Sequence, residues 1–114
     1  MINDLILDLT CIQKGLVMNY NFSWDFKKAG QNFDKHNIKF ERAATIFRDP
    51  NALSIFDEEH SLDEDRWLTL GIDSNGILLI VIHTFQKRDD ENINIRLISA
   101  RKATKNEIKQ YKDK

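Results

Sequence analysis

Three arginines, one histidine and a run of carboxylates are the residues with chemistry to offer in this sequence. Arg66 opens one apolar segment, Arg96 lies inside another and Arg101 ends it. A guanidinium stays charged and presents a planar fork that matches two oxygens of a phosphate. His60 is the side chain best suited to move a proton, because imidazole titrates near neutrality. It sits in an acidic stretch, Asp57 to Asp65, with six carboxylates and no basic residue. Glu59 and Glu64 in that stretch are candidate bases. Lys28 and Lys35 could touch a phosphate backbone, or could simply form a solvated helix face. Tyr111 could stack on a nucleobase, or pack Ile108 against a sheet. Cys11, His36, His60 and His83 are scattered, without the spacing of a zinc site. No metal or cofactor is therefore expected.

These groups act together only if the elements carrying them are neighbours. Strict alternation along a strand puts Arg96 and Arg101 on opposite faces. Both serve one phosphate only if the strand bends near Ser99 or ends before Arg101. Arg66 joins them if its strand lies beside theirs, as a meander of successive strands makes natural.

The scaffold is legible in order. Tyr20, Phe22 and Trp24 alternate with Asn21 and Ser23, predicting a first strand. Asp25 is placed to cap a helix, since its carboxylate can accept from free first-turn N–H groups. Phe26, Ala29, Gly30 and Phe33 then recur at i, i+3, i+4, i+7, predicting a buried face. Lys28, Asn32 and Lys35 fall on the other side. Asn37 stands where that helix should stop in a left-handed conformation. Phe40, Ala43, Ala44 and Phe47 repeat the pattern and predict a second helix over 40–48, ended before Pro50. Strands are predicted over 52–56, 66–72, 77–85 and 93–100, with the apolar 77–85 run central. Asp73-Ser74-Asn75-Gly76 reads as a hairpin turn, and residues 86–92 as a polar loop. Thr104 and Glu107 form a capping box that opens a last helix, with Ile108 and Tyr111 inward. The order β-α-α-β-β-β-β-α predicts an α+β fold, two helices before and one after a mainly antiparallel sheet.

A chain of 114 residues with 41% hydrophobic content suits one domain. Residues 1–17 lack a clean period and are expected to be an extension outside a domain spanning 18–114. One cysteine excludes an internal disulfide, and no apolar run is long enough to span a membrane as a helix. A cytoplasmic location is the default. The net charge of −1 argues against a uniformly basic nucleic-acid binder. Charge is nonetheless segregated. The segments 27–48 and 96–114 carry local balances of +4 and +5, on either side of the acidic stretch. Solvated surface helices explain that pattern, and so does a phosphate-binding groove balanced by an acidic loop.

Several blocks carry a family resemblance. Phe22-Ser-Trp-Asp-Phe-Lys-Lys-Ala29, Asn32, Lys35-His36, and Phe40-Glu-Arg-Ala-Ala-Thr-Ile-Phe47 with Asp49-Pro50 form the first. Asp57-Glu-Glu-His60-Ser61, Arg66, Leu70-Gly71 and Val81-Ile-His-Thr84 continue it, followed by Arg96-Leu-Ile-Ser-Ala-Arg101-Lys-Ala103 with Glu107 and Tyr111. Together they resemble the BrnT family over about residues 22–111. Phe26 stands where that family often has Pro, and Asn37 where it often has Gly. The resemblance implies a RelE-like fold and the toxin of a type II toxin-antitoxin system. It implies a ribonuclease that stops translation, neutralised by a BrnA-like ribbon-helix-helix antitoxin through which operator DNA is reached. RNA cleavage without a metal needs a base for the 2′-hydroxyl, an acid for the leaving oxygen and fixed positive charge. His60, Arg66, Arg96 and Arg101 are the catalytic candidates, with Lys28, Lys35 and Tyr111 as RNA contacts. The alternative is a non-catalytic module that binds a protein partner and meets nucleic acid only through it.

Overall fold

The computed structural model describes residues 7–13 and 16–113, with side chains from Asn19 onward. Seven strands form a mixed, mostly antiparallel sheet. β1 (Leu7–Gln13) and β2 (Leu16–Ser23) are followed by helices α1 (Phe26–His36) and α2 (Phe40–Ala44), then by a 3-10 turn over Thr45–Arg48. β3 (Leu53–Phe56), β4 (Trp67–Ile72), β5 (Leu78–His83), β6 (Gln86–Lys87), β7 (Asn92–Lys102) and helix α3 (Lys105–Asp113) complete the chain. The spatial order is β1-β2-β7-β5-β4-β3, with β6 pairing β7. The fold is thus α+β with three helices, as expected. It adds two strands to the expected order, β1 at the start and the short β6 inside the stretch expected to be a loop. The expected extension, residues 1–17, lies partly outside the described residues. Its described part includes β1, whose backbone pairs antiparallel with β2.

The long strand β7 organises the molecule. It pairs parallel with β2 up to Arg96 and antiparallel with β5 from Leu97 to Lys102. β2 then turns into α1, which leaves one edge of β7 open past Arg96. Asn32 closes it. Its Oδ1 accepts from the Ala100 N–H at 3.0 Å, and its Nδ2 donates to the Ala100 carbonyl at 3.0 Å and to the Ile38 carbonyl at 3.1 Å. One carboxamide thus does what a neighbouring strand residue would do.

That contact overturns the expected orientation of α1. Asn32 is its buried residue, while Phe26 and Phe33 are 50% and 40% exposed. The helix is rotated so that Ala29, Asn32 and His36 face inward. Satisfying two buried backbone groups of Ala100 outweighs covering two phenyl rings. The ends of the helix behave as the sequence predicts. The Asp25 carboxylate accepts from the Lys27 and Lys28 N–H groups, and Asn37 takes φ 57°.

The second helical segment buries Phe40, Ala43 and Ala44 but tightens to a 3-10 turn at Thr45. The change brings Ile46 inward against Gly71, where a Cβ would meet the Ile46 Cβ at 3.0 Å. Phe22, Trp24, Ile38, Phe40, Ile46, Leu79, Val81, Ile95 and Leu97 fill the core between this layer and the sheet. Each such large side chain contributes about 1.5–3 kcal/mol. In the hairpin between β4 and β5 only Gly76 takes positive φ, at 78°. The Asp73 carboxylate holds that turn by accepting from the Asn75 and Ile77 N–H groups and from Arg42. At α3 the capping box forms in both directions. Glu107 N–H donates to Thr104 Oγ1, and Thr104 N–H donates to Glu107 Oε1.

Candidate active site

Arg96 lies where β2 and β5 both end beside β7. Its backbone is clamped by Thr84: the Thr84 N–H donates to the Arg96 carbonyl at 3.0 Å, and the Arg96 N–H donates to Thr84 Oγ1 at 3.1 Å. Thr84 is held in turn by His83, whose Nδ1 donates to the Thr84 carbonyl at 2.7 Å. The Arg96 side chain reaches into a cleft of about 450 Å³ shared with Ser23, Glu64, Asp65, Thr84, Phe85, Gln86 and Asn94. There its Nη2 sits 2.5 Å from both carboxylate oxygens of Glu64. One nitrogen against two oxygens leaves the guanidinium fork without the two-to-two match it makes best.

Glu64 is also a wall of a second pocket, about 270 Å³, with Glu59, His60, Leu62, Asp63 and Arg66. The acidic stretch is folded there, with a 3-10 turn over Glu58–His60. His60 is exposed, and its Nδ1 lies 3.0 Å from an Asp57 carboxylate oxygen. Among the described residues, Nε2 has no hydrogen-bond partner. Asp57 is itself fixed, because its N–H donates to the Arg66 carbonyl and its carbonyl accepts from Ser61 Oγ. Arg66, His60, Glu64 and Arg96 thus occupy two adjoining pockets with one carboxylate between them.

Arg101 is elsewhere. The register of β5 against β7 shifts between Ile82, opposite Ser99, and His83, opposite Leu97. Ile98 is the extra residue, so the bulge resets the alternation. Arg96 and Arg101 therefore share a face, as the bend near Ser99 required. Five residues of strand still place them about 15 Å apart. Arg101 meets Glu107 of α3 instead, Nη1 to Oε1 at 2.8 Å and Nη2 to Oε2 at 2.9 Å. The Arg101 hydrogen bonds, with help from the Thr104 N–H, hold the Glu107 carboxyl down at about 2. The same contact raises the Arg101 pKa.

The remaining candidates are dispersed. Lys28 and Lys35 are exposed on α1. Tyr111 is half-buried and its hydroxyl donates to Asp49, with burial and that carboxylate pushing its pKa up to about 12. His83 is a buried core histidine at the end of the central strand β5. Burial lowers its pKa to about 4, so the ring is neutral near pH 7. Sequence reasoning weighed Glu64 only as one of two loop carboxylates and missed Thr84, whose role depends on the turn between β5 and β6. Among the described residues no three His, Cys, Asp or Glu side chains gather as metal ligands would. No described helix is long and apolar enough to cross a membrane.

A family model for a ribonuclease toxin, BrnT, of type II toxin-antitoxin systems matches residues 24–107. The chain belongs to the BrnT family. No individually curated protein matches it. The BrnT match runs from Trp24, between β2 and α1, to Glu107. It therefore contains every residue of the Arg96 cleft except Ser23, the whole His60 pocket and both residues of the Arg101–Glu107 pair. As a member of a type II toxin family, the chain has an antitoxin for a partner.

Proposed function

We propose that the protein is a metal-independent endoribonuclease that acts in the cytoplasm and stops translation by cutting RNA. On this reading the fold is RelE-like, a BrnA-like ribbon-helix-helix antitoxin neutralises the toxin, and operator DNA is reached only through that antitoxin. The observation that carries the proposal is the Arg96–Glu64 contact in an open cleft, next to the pocket of His60 and Arg66. A phosphate accepts two parallel bonds from a guanidinium, whereas Glu64 engages one nitrogen. RNA therefore displaces Glu64 from Arg96. The freed carboxylate lies beside the phosphate and takes the 2′-hydroxyl proton as the 2′-oxygen attacks phosphorus. His60, oriented by Asp57, gives the Nε2 proton of its imidazolium to the departing 5′-oxygen. The products are a 2′,3′-cyclic phosphate and a 5′-hydroxyl. Arg66 adds positive charge next to the developing phosphorane. Lys28 and Lys35 touch the RNA backbone beyond the cleft, while Arg101 and Tyr111 hold α3 in place.

Incubation of the purified protein with RNA in excess chelator tests this. Cleavage should persist, and Glu64→Gln should tighten RNA binding while lowering kcat by about 10²-fold, the size of a general-base contribution. Tighter binding with unchanged kcat would remove Glu64 from the chemistry. A folded wild-type protein that leaves RNA intact would support a non-catalytic partner-binding module instead.

A further inference from the structure

A third cavity, about 210 Å³, lies at the corner of the sheet and is lined by Ser54, Trp67, His83 and Phe85. Its walls are aromatic. The Trp67 ring stands 6.2 Å from Phe85, tilted by 52°, and 5.3 Å from Phe56 on its other side. Phe85 and Phe56 are 43% and 37% exposed, so the fold leaves this surface open. Phe85 also lines the Arg96 cleft, so the two spaces share that residue as a wall.

The polar edge of the cavity has a fixed direction. His83 Nδ1 must donate to the Thr84 carbonyl, which can only accept. The neutral ring then has an accepting Nε2, and Thr69 Oγ1, 2.6 Å away, must donate to it. Thr69 has spent its proton, so Ser54 Oγ, 2.8 Å from Thr69 Oγ1, donates in turn. The Ser54 hydroxyl is left with lone pairs only to offer an occupant. Stacking walls accept any nucleobase, being worth about 1–3 kcal/mol per base. An accepting hydroxyl selects among them. Adenine and cytosine bring an exposed exocyclic amine, while uracil's edge donor, N3–H, is recessed between two carbonyl oxygens that find no donor there.

Resting on the ribonuclease reading above, we propose that this cavity receives a base of the RNA whose phosphate sits on Arg96, preferring adenine or cytosine to uracil. The test uses 2′-O-methyl hexanucleotides of A, C or U, which cannot be cut because the attacking oxygen is blocked. Binding is followed on the Trp67 indole N–H resonance, with buried Trp24 reporting that the protein stays folded. The A and C hexamers should shift Trp67 at lower concentration than the U hexamer. Phe85→Ala should weaken all three by about tenfold or more, and Ser54→Ala should abolish the difference between them. An unmoved Trp67 resonance, or equal affinity for A and U in the wild type, overturns the proposal. Cleavage of unmodified RNA is measured in parallel. A protein that cuts RNA with Trp67 unmoved loses the base pocket and keeps the nuclease. One that binds at Trp67 without cutting keeps the pocket and loses the nuclease.

Discussion

The two ends of the Arg96–Arg101 stretch of β7 each carry an arginine paired with a glutamate, and the pairs are built differently. Arg101 and Glu107 meet fork to fork, and Glu107 is tied down again by the Thr104 N–H. Arg96 meets Glu64 through a single nitrogen, and Glu64 comes from an acidic loop that also walls the neighbouring pocket. At the first end every polar atom has a reason to stay where it is. At the second, a better anion could replace the one present. The comparison separates an ion pair that holds a helix from one that keeps a site occupied. Similar residue types and a shared face do not distinguish them, but bond geometry does.

Arg96→Ala should sharpen this contrast most. We expect RNA cleavage to fall by about 10²–10³-fold, the usual effect of removing one preorganised charge donor at a developing oxyanion. The melting temperature should barely move, since a partly exposed ion pair stabilises by about 1 kcal/mol or less. Steady-state cleavage and thermal unfolding on the same preparation check both halves. A variant that melts early and still cuts would exchange the roles assigned to the two ends.

The Arg96 end also depends on a neutral imidazole. His83 anchors Thr84, which clamps the Arg96 backbone. In the unfolded chain this ring takes a proton near pH 6.5, and in the folded protein only near about 4. Between those values the unfolded state binds the extra proton, so stability falls as the pH is lowered. The contribution is complete above about pH 6.5 and diminishes by about 3 kcal/mol down to pH 4. Urea unfolding at pH 7, 5.5 and 4.5 should show the decline, and the His83 ring protons should keep constant shifts to about pH 5. Ring protons that titrate near 6.5 would sink the argument.

At the other end Asn32 does the clamping. Asn32→Ala would leave the Ala100 N–H and carbonyl without partners, at about 1–3 kcal/mol for each group left unpaired. We expect a loss of at least about 2 kcal/mol, measured by denaturant unfolding, and faster amide exchange at Ala100. Unchanged exchange would mean that another group or water closes this edge equally well.

Asn32 also marks where the sequence stops being readable. The caps at Asp25, Asn37 and Thr104 were legible because each rests on a few adjacent residues. The central place of β5 was legible from its apolar run. The face of α1 was not, since periodicity weighs phenylalanines against lysines and cannot see a carboxamide completing a distant strand. The site divides in the same way. His60, Arg66 and Arg96 could be named from residue type, and their grouping around Glu64 follows from how the acidic stretch folds. The bulge at Ile98 that puts Arg96 and Arg101 on one face has no local signal, because it lies in the register of two strands.

The smallest expected effect decides what Arg101 is for. Arg101→Ala should cost about 1 kcal/mol, a drop of about 4 °C in melting temperature for a domain of this size. Cleavage should stay within a few-fold of wild type once the protein is folded. The variant should also differ in acid. The depressed Glu107 pKa contributes stability above its ordinary value of 4.5 and loses it as the pH falls through about 2. Without Arg101, the main cause of that depression is gone, and this part of the acid sensitivity should disappear. Both measurements follow from one guanidinium holding one carboxylate. If Arg101→Ala abolished cleavage as thoroughly as Arg96→Ala with its melting unchanged, Glu107 would be a second replaceable anion. The two ends of the Arg96–Arg101 stretch would then be two phosphate seats on one face, and the fork-to-fork geometry would describe only the protein without RNA.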